Sequence, residues 1–212
     1  MAHENESTFS FTFYKNSDII LYTILAAPLY LYEKGMFIPM KLETERLLLR
    51  EMYPSDYADL CGILQDEDVM YAYEGAFTDD EVCEWLNKQI NRYRDDGVGL
   101  YAVILKESGE MIGQCGLTMQ PWRDRKLLEI GYLFKKAYWH KGYATEAARA
   151  CKKYAFDVMH ANEVFSIIRD TNTASQKVAL RNGMSVADKW TKYYRGVDMP
   201  HILYRASQDD TQ

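Results

Sequence analysis

The stretch LLEIGYLFKKAYWHKGYATEAARACKKYAF, from Leu127 to Phe156, constrains the fold more than any other part of the chain. It predicts a strand, a loop with three lysines and one glycine, and then an alanine-rich helix. The first turn of a helix has unpaired N–H groups and carries about half a positive charge. Gly142 would let a phosphate approach the backbone there. The loop therefore predicts an anion site, although a lysine-rich surface turn gives the same pattern.

The rest of the chain predicts a block of strands followed by a strand–helix–strand unit. Thr78 and Glu81 form a capping box that starts a helix, which ends before Gly97. The predicted strands are 46–52, 100–105, 111–119, 127–134, 163–170, 185–194 and 200–206, and the other predicted helices are 55–64 with Ser55 as N-cap, 143–159 and 173–182. Strands 100–134 indicate an antiparallel meander. We expect a mixed α/β fold with a partly antiparallel central sheet flanked by helices.

The first 39 residues stand apart from this pattern. The segment 18–32 is apolar, but it contains Pro28, and its uninterrupted apolar part is shorter than the ~20 residues that cross a membrane. No basic segment precedes it, as one would in a signal peptide. Residues 1–39 are either a hairpin packed on the domain or sequence upstream of a start at Met36 or Met40. We expect an N-terminal extension over 1–39, a domain over 40–208 and a polar tail over 209–212.

Composition excludes some functions. The formal net charge of −6 argues against nucleic acid as a partner, because nucleic-acid-binding domains usually carry a basic face. The four cysteines form no CxxC pair and lie near no histidine at metal-ligand spacing, so no metal is expected. Reduced thiols in a cytoplasmic protein are the simplest interpretation. We expect no membrane partner and leave a homodimer open.

Three motifs, in order, resemble the GNAT N-acetyltransferase superfamily. The segment from Trp139 to Ala144 is similar to its motif Q/R-x-x-G-x-G/A, with Gly142 and Ala144 matching and Trp139 in place of Gln or Arg. The segments TERLLLRE and DTNTASQKVALRNGM resemble the branch with the ribosomal-protein N-terminal acetyltransferases. In the second of these segments Met184 replaces the usual Phe. The resemblance covers about residues 40–205.

The resemblance implies acetyl-CoA as co-substrate and a sheet with splayed central strands. The pantetheine arm would pair with strand 127–134 as an added strand, with Leu133 and Phe134 nearest the thioester. The backbone of the loop would hold the pyrophosphate, and two further residues would contact pantetheine or phosphate. These implied contacts are His140, Lys141, Gly142, Tyr143, Ala144, Thr145, Asn172 and Ser175. Asn172 would also suit a helix N-cap.

Glu129 is the candidate catalytic residue. An amine must be neutral to attack a thioester, and removing its proton at pH 7 costs roughly 4–5 kcal/mol for a lysine-like amine and about 1–2 kcal/mol for an α-amine. A positioned carboxylate base contributes about 10²–10⁴ in rate. Some superfamily members have a glutamate at this strand position in that role. The alternative is a structural glutamate bonded to a neighbouring strand or to an arginine.

Other catalytic groups are less clearly indicated. Many relatives carry a tyrosine that protonates the leaving thiolate, but alignment on Gly183 places Ala179 there. A thiolate of pKa about 8.5 leaves with little help. An acetyl-enzyme on Cys115 is disfavoured because no base is near it in sequence. His201 is expected to be structural or to lie beside the acceptor.

The acceptor site is expected in three aromatic-rich segments, 69–75, 120–126 and 192–200, which we predict to lack regular structure. Their carboxylates, Glu74, Asp124 and Asp198, would suit a cationic amine. The sequence thus predicts an N-acetyltransferase that acts on a small amine or a protein N-terminus by direct attack, without a covalent intermediate. A non-catalytic acyl-CoA-binding or sensing domain is the alternative.

Overall fold

The structure, a computed structural model, describes residues 41–209, so the predicted N-terminal extension lies outside the described residues. Residues 41–209 belong to one compact unit. The strands are β1 Leu42–Glu43, β2 Leu47–Arg50, β3 Leu100–Leu105, β4 Met111–Trp122, β5 Arg125–Phe134, β6 Glu163–Arg169, β7 Ser185–Tyr194 and β8 Val197–Ser207. The helices are α1 Tyr57–Leu64, α2 Glu67–Met70, α3 Asp79–Asp95, α4 Tyr143–Asp157 and α5 Thr173–Arg181.

The described strands form a single sheet in the order β1-β2-β3-β4-β5-β6-β8-β7. Every neighbouring pair is antiparallel except β5 and β6, which are parallel. This confirms the predicted mixed α/β fold and its antiparallel meander. The β5–β6 pair is joined at one register position only, Glu129 opposite Phe165. The expected splayed pair of central strands is therefore β5 and β6.

Apolar side chains cover both faces of the sheet. Helix α4 packs Ala147, Ala148, Cys151 and Ala155 against one face, as the alanine stripe predicts. These small side chains let the helix lie close to the strands. Helices α1 and α3 cover the other face through residues such as Leu60, Ile63, Val82 and Leu86. The predicted helix 143–159 was two residues too long, because α4 ends at Asp157 and Val158 is exposed.

Helix starts show which local signals the sequence carries. Thr78 and Glu81 form the predicted capping box of α3, each side chain accepting from the other residue's backbone N–H. The prediction for Ser55 was wrong, because a 3₁₀ turn over Pro54–Asp56 precedes α1. Asp56, not Ser55, is the N-cap residue of α1. Its carboxylate accepts from the Tyr53 N–H at 2.8 Å and also binds Arg50.

The acceptor segments were predicted to be irregular, and this was wrong. Residues 69–73 finish helix α2 and a 3₁₀ turn, while 120–126 and 192–200 fall largely within long β-hairpins. The hairpin strands extend beyond their apolar runs because backbone pairing continues to Trp122 opposite Arg125 and to Tyr194 opposite Val197. Within residues 41–209, no helix combines the length and apolar character needed to span a membrane.

Candidate active site

A cleft of about 540 Å³ lies between helix α3, the diverging strands β5 and β6, and the β7–β8 hairpin. Glu129, Leu133, Asn172 and Ser175 line it, so the fold brings these four predicted site residues together. Phe134 does not line the cleft. Its side chain is buried, and its carbonyl accepts from the Trp139 indole at 2.8 Å. Leu133 and Phe134 therefore differ in access to the cleft.

Strands β5 and β6 diverge immediately after Glu129. Beyond that point, side chains form hydrogen bonds with backbone groups that would otherwise pair across the two strands. The Ser166 hydroxyl donates to the Ile130 carbonyl at 2.9 Å. The Ile167 N–H donates to the Glu129 carboxylate at 3.2 Å. Buried backbone groups need such partners. The split is thus held open by groups of the chain itself.

The environment of Glu129 favours a protonatable carboxylate. Burial raises the pKa of Glu129, and the hydrogen bond from the Ile167 N–H, the Lys192 charge, the Thr118 hydroxyl and the Arg92 charge partly oppose that rise. The Thr118 hydroxyl donates to the second carboxylate oxygen at 3.3 Å. A carboxylate with a raised pKa is a better proton acceptor for an amine. The hydrogen bond from the Ile167 N–H of β6 is also what the alternative role, a structural glutamate bonded to a neighbouring strand, would require.

The loop before α4 has the backbone of an anion site. His140 and Gly142 both lie in the left-handed region, with φ of 61° and 85°. Alternation of left-handed residues turns successive N–H groups toward one concave surface. The N–H groups of residues 140–145 donate to no other group within residues 41–209. The predicted segment from His140 to Thr145 therefore offers consecutive unpaired donors at a helix N-terminus.

The lysines of this loop contribute less positive charge than predicted. Lys135 lies between Asp59 and Glu110, at 2.9 and 3.0 Å, and Lys136 pairs with Asp68 at 2.5 Å. Lys141 forms no ion pair within residues 41–209, and its ammonium lies 5.1 Å from the centroid of a tyrosine ring. The sequence could not show these pairings because their partners are distant in the chain. Backbone N–H groups are thus the main positive feature of the loop.

Glu146 fixes the first turn of α4 to the β1–β2 connection. Its carboxylate accepts from the Thr44 hydroxyl at 2.5 Å, the Arg46 N–H at 3.0 Å and the Arg46 guanidinium at 2.7 Å. Arg46 also donates to the Lys141 carbonyl at 3.1 Å. Although burial acts in the opposite direction, these hydrogen bonds lower the pKa of Glu146. The TERLLLRE segment therefore orients the anion loop from outside it.

We predict that Glu146→Gln lowers the free energy of unfolding by about 1–3 kcal/mol, because half-buried partners lose charge-assisted hydrogen bonds. The lowered pKa means that the carboxylate stabilises the fold above its ordinary value of about 4.3 and that this stability is lost as pH falls through the lowered folded value. Urea unfolding at pH 7 and pH 3 measures both effects. Asp157→Asn, which removes an exposed pair with Lys153 on the same helix, is the control. Equal losses in both variants would contradict the prediction.

Asn172 and Ser175 are placed by the start of α5. The Asn172 side chain accepts from the Ser175 N–H at 3.0 Å, so Asn172 is the N-cap of α5. The Tyr132 hydroxyl donates to the Ser175 carbonyl at 2.9 Å, and burial raises the pKa of Tyr132. Ala179 is buried and offers no proton. Tyr132 is therefore a protonated hydroxyl at the cleft that the motif comparison did not single out.

Cys115 and His201 take structural positions. The Cys115 Sγ is fully buried, 3.8 Å from the Cys151 Sγ of α4, and burial raises its pKa, which disfavours a nucleophilic thiolate. His201 lines the cleft, its Nδ1 lies 2.7 Å from the Met199 carbonyl, and burial lowers its pKa. The imidazole is thus neutral at pH 7. Neither residue has the surroundings of an acetyl carrier.

The carboxylates suggested for the acceptor are not available to it. Glu74 lines no part of the cleft and pairs with Arg169. Asp124 and Asp198 also lie outside the cleft lining. The lining instead contains Lys88 and Arg92, to which the sequence pattern assigned no role, and Lys192, the first residue of the predicted acceptor segment 192–200. The sequence signal for the two α3 residues was their spacing. Lys88 and Arg92 follow Trp85 at helical intervals, so they lie on the same side of the helix as that aromatic residue.

Comparisons with known proteins agree with this geometry. The acetyltransferase (GNAT) domain family matches residues 46–185. The chain is 38% identical over 156 residues to the uncharacterized protein YkkB of Bacillus subtilis (strain 168), covering 72% of this chain and 91% of that one. A GNAT-family acetyltransferase from Bacillus anthracis matches in structure with a TM-score of 0.69 and 26% identity, covering 80% of this chain and 99% of that one.

The fold is also that of RimL, a ribosomal L7/L12 α-N-protein acetyltransferase solved with coenzyme A. That match has a TM-score of 0.67 and 17% identity over 81% of this chain and 99% of that one. The sheet with one split parallel pair and the loop of unpaired amides define an acyl-transfer fold. The chain belongs to the GNAT acetyltransferase family.

Proposed function

We propose that this acetyltransferase transfers the acetyl group of acetyl-CoA to a primary amine by direct attack, with Glu129 as general base. The observation that carries the proposal is the position of the Glu129 carboxylate, in the cleft at the point where β5 and β6 diverge. The acceptor is a small amine or a protein N-terminus. A cytoplasmic location suits acetyl-CoA as co-substrate and four free cysteines.

Residues of this chain fit the co-substrate. The unpaired N–H groups of residues 140–145 would bind the pyrophosphate. The Ile130 carbonyl points toward β6, and because backbone orientation alternates along a strand, the N–H and carbonyl of Tyr132 point into the same gap. The pantetheine arm would pair with them as an added strand. Asn172 and Ser175 would line its other side.

The protons can be followed through the residues of the cleft. Glu129 accepts one proton from the bound ammonium, directly or through a water, and the neutral amine then forms the new C–N bond as the C–S bond breaks. The second proton that the nitrogen loses balances the proton that the departing thiolate gains. A coenzyme thiolate with a pKa near that of cysteine, about 8.5, leaves with little help. The Tyr132 hydroxyl is the candidate proton donor to it, because burial keeps that group protonated.

Two measurements test this function. Calorimetric titration with acetyl-CoA should give a dissociation constant in the micromolar range. A panel of amines, amino acids and short peptides should then release free coenzyme thiol in an amine-dependent manner. Binding without release for every acceptor would favour the alternative of an acyl-CoA-binding or sensing domain. Absence of acetyl-CoA binding would contradict both the acetyltransferase and the acyl-CoA-binding domain.

A further inference from the structure

Three basic side chains reach the cleft on the acceptor side of Glu129 without a counter-ion. Lys88 and Arg92 come from α3, and Lys192 comes from β7. None of them forms an ion pair within residues 41–209. The only hydrogen bond of Arg92 among the described residues goes to the buried amide oxygen of Gln89 at 3.2 Å. The cleft therefore contains cations in excess of what its own carboxylates neutralise.

Most of the other charges that line the cleft are already paired with each other or with residues outside it. Glu81 pairs with Arg195, and Arg169 pairs with Glu74. Glu84 is exposed on α3 and forms no ion pair within the described part of the chain. Glu129 itself interacts with Arg92 and Lys192, but its carboxylate is bonded to Thr118 and to β6. Two carboxylates without an ion pair, Glu84 and Glu129, thus stand against three cations.

Two of these cations, Arg92 and Lys192, are held in place by neighbouring side chains, whereas Lys88 is exposed. Arg92 and Lys192 are half-buried, and burial lowers the pKa of each. The Lys192 ammonium lies 5.5 Å from the Trp122 ring centroid and 5.7 Å from that of Trp190. Indole faces orient an ammonium without neutralising it. Half-buried, unneutralised cations lower stability, and this arrangement is typical of a ligand site.

We infer that the acceptor is an amine that carries an anionic group close to the amine, which Arg92 and Lys192 bind while the amine faces Glu129. The inference rests on the proposed acetyl transfer and names its substrate class. A carboxylate there would receive charge-assisted hydrogen bonds. Its charge would also offset the repulsion that two cations exert on an incoming ammonium. Tyr73, Phe77 and Trp85, packed edge to face, form the adjoining apolar wall.

The sharpest test uses probes that need no turnover. Coenzyme A is joined through its sulfur to N-acetylglycine in one probe and to N-acetylglycinamide in the other, so the pair differs by one carboxylate. The carboxylate probe should bind the wild type about 10- to 100-fold more tightly by calorimetry, the range that charge-assisted hydrogen bonds supply. In the double variant Arg92→Gln, Lys192→Gln the ratio should fall to about one.

A second probe pair identifies the source of the anion. Acetylglycyl-aspartyl amide and acetylglycyl-asparaginyl amide, joined to coenzyme A in the same way, place the charge on the second residue of a peptide. Preference within the first pair only indicates a free amino acid, and preference within the second indicates an acidic protein N-terminus. Arg94→Gln removes an exposed cation of α3 paired with Asp95, so this variant should keep the wild-type ratio.

Four outcomes would count against the inference, and they differ in whether they also overturn the proposed function. Equal affinity within both pairs, or a ratio that persists in the double variant, overturns the anionic acceptor alone. A shift in the pH profile of the double variant without any charge preference would mean that the cations act only on Glu129, which also overturns it. Failure of unmodified coenzyme A to bind would overturn the proposed function and this inference together.

Discussion

Glu129→Gln is expected to lower kcat at pH 7 by about 10²–10⁴ while the dissociation constant of acetyl-CoA stays within a fewfold of the wild type. The glutamine keeps an oxygen for the Ile167 N–H, and its amide can donate to the Thr118 hydroxyl. The strand split should therefore persist while the proton acceptor is lost. Steady-state kinetics and calorimetry on the same preparation separate the two effects.

The pH profile makes this prediction specific to a base. Burial raises the pKa of Glu129, so the acid limb of kcat/KM in the wild type should lie above the ordinary glutamate value of about 4.3. That limb should disappear in the variant. Glu107→Gln, which changes an exposed turn, is the matched control and should leave kinetics unaltered. A variant that retains wild-type kcat would assign Glu129 to the strand split alone.

Gly142→Asp is expected to weaken acetyl-CoA binding at least 100-fold, because like charges a few ångströms apart in a partly buried site repel by several kcal/mol. Gly142 has a φ of 85°, which disfavours most side chains, but asparagine and aspartate tolerate that region best. A Cβ there would first meet the end of the Arg46 side chain, at 3.5 Å. The Gly142→Asp variant should therefore fold.

Gly142→Asn isolates the charge, because it has nearly the same size and backbone tolerance. We expect it to weaken binding much less than the aspartate. A carboxylate beside a helix N-terminus interacts favourably with the helix dipole, so the aspartate variant should be at least as stable as the asparagine variant in thermal unfolding. Equal binding by the two variants would show that phosphate does not lie at this loop.

Local signals in the sequence predicted much of the fold. The capping box of Thr78 and Glu81 and the alanine stripe of α4 each act within a few residues, so they could be found without knowing the tertiary structure. The full lengths of β4, β5 and β8 could not be found in that way, because these strands are extended by pairing, such as Trp122 opposite Arg125 and Tyr194 opposite Val197, rather than by apolar alternation.

Charge was the least predictable property of the site. Lys135 looked like a free cation in the sequence, but Asp59 and Glu110, remote in the chain, neutralise it. The sequence pattern assigned no role to Arg92, and the fold turns it into the cleft. The strand position of Glu129 was enough to suggest it as a candidate base. Its hydrogen bond with the Ile167 N–H could not be predicted, because that bond depends on where β6 lies.

The two halves of the cleft come from different parts of the chain. Strand β5 and the start of α5 line one part of it, whereas α3 and the β7–β8 hairpin line the other. If the first part holds the coenzyme, as proposed, we expect substitutions on α3 or the hairpin to alter which amine is accepted without disturbing coenzyme affinity. A scaffold divided in this way lets acceptor choice diverge among related enzymes, and be redesigned, while the acyl donor stays the same.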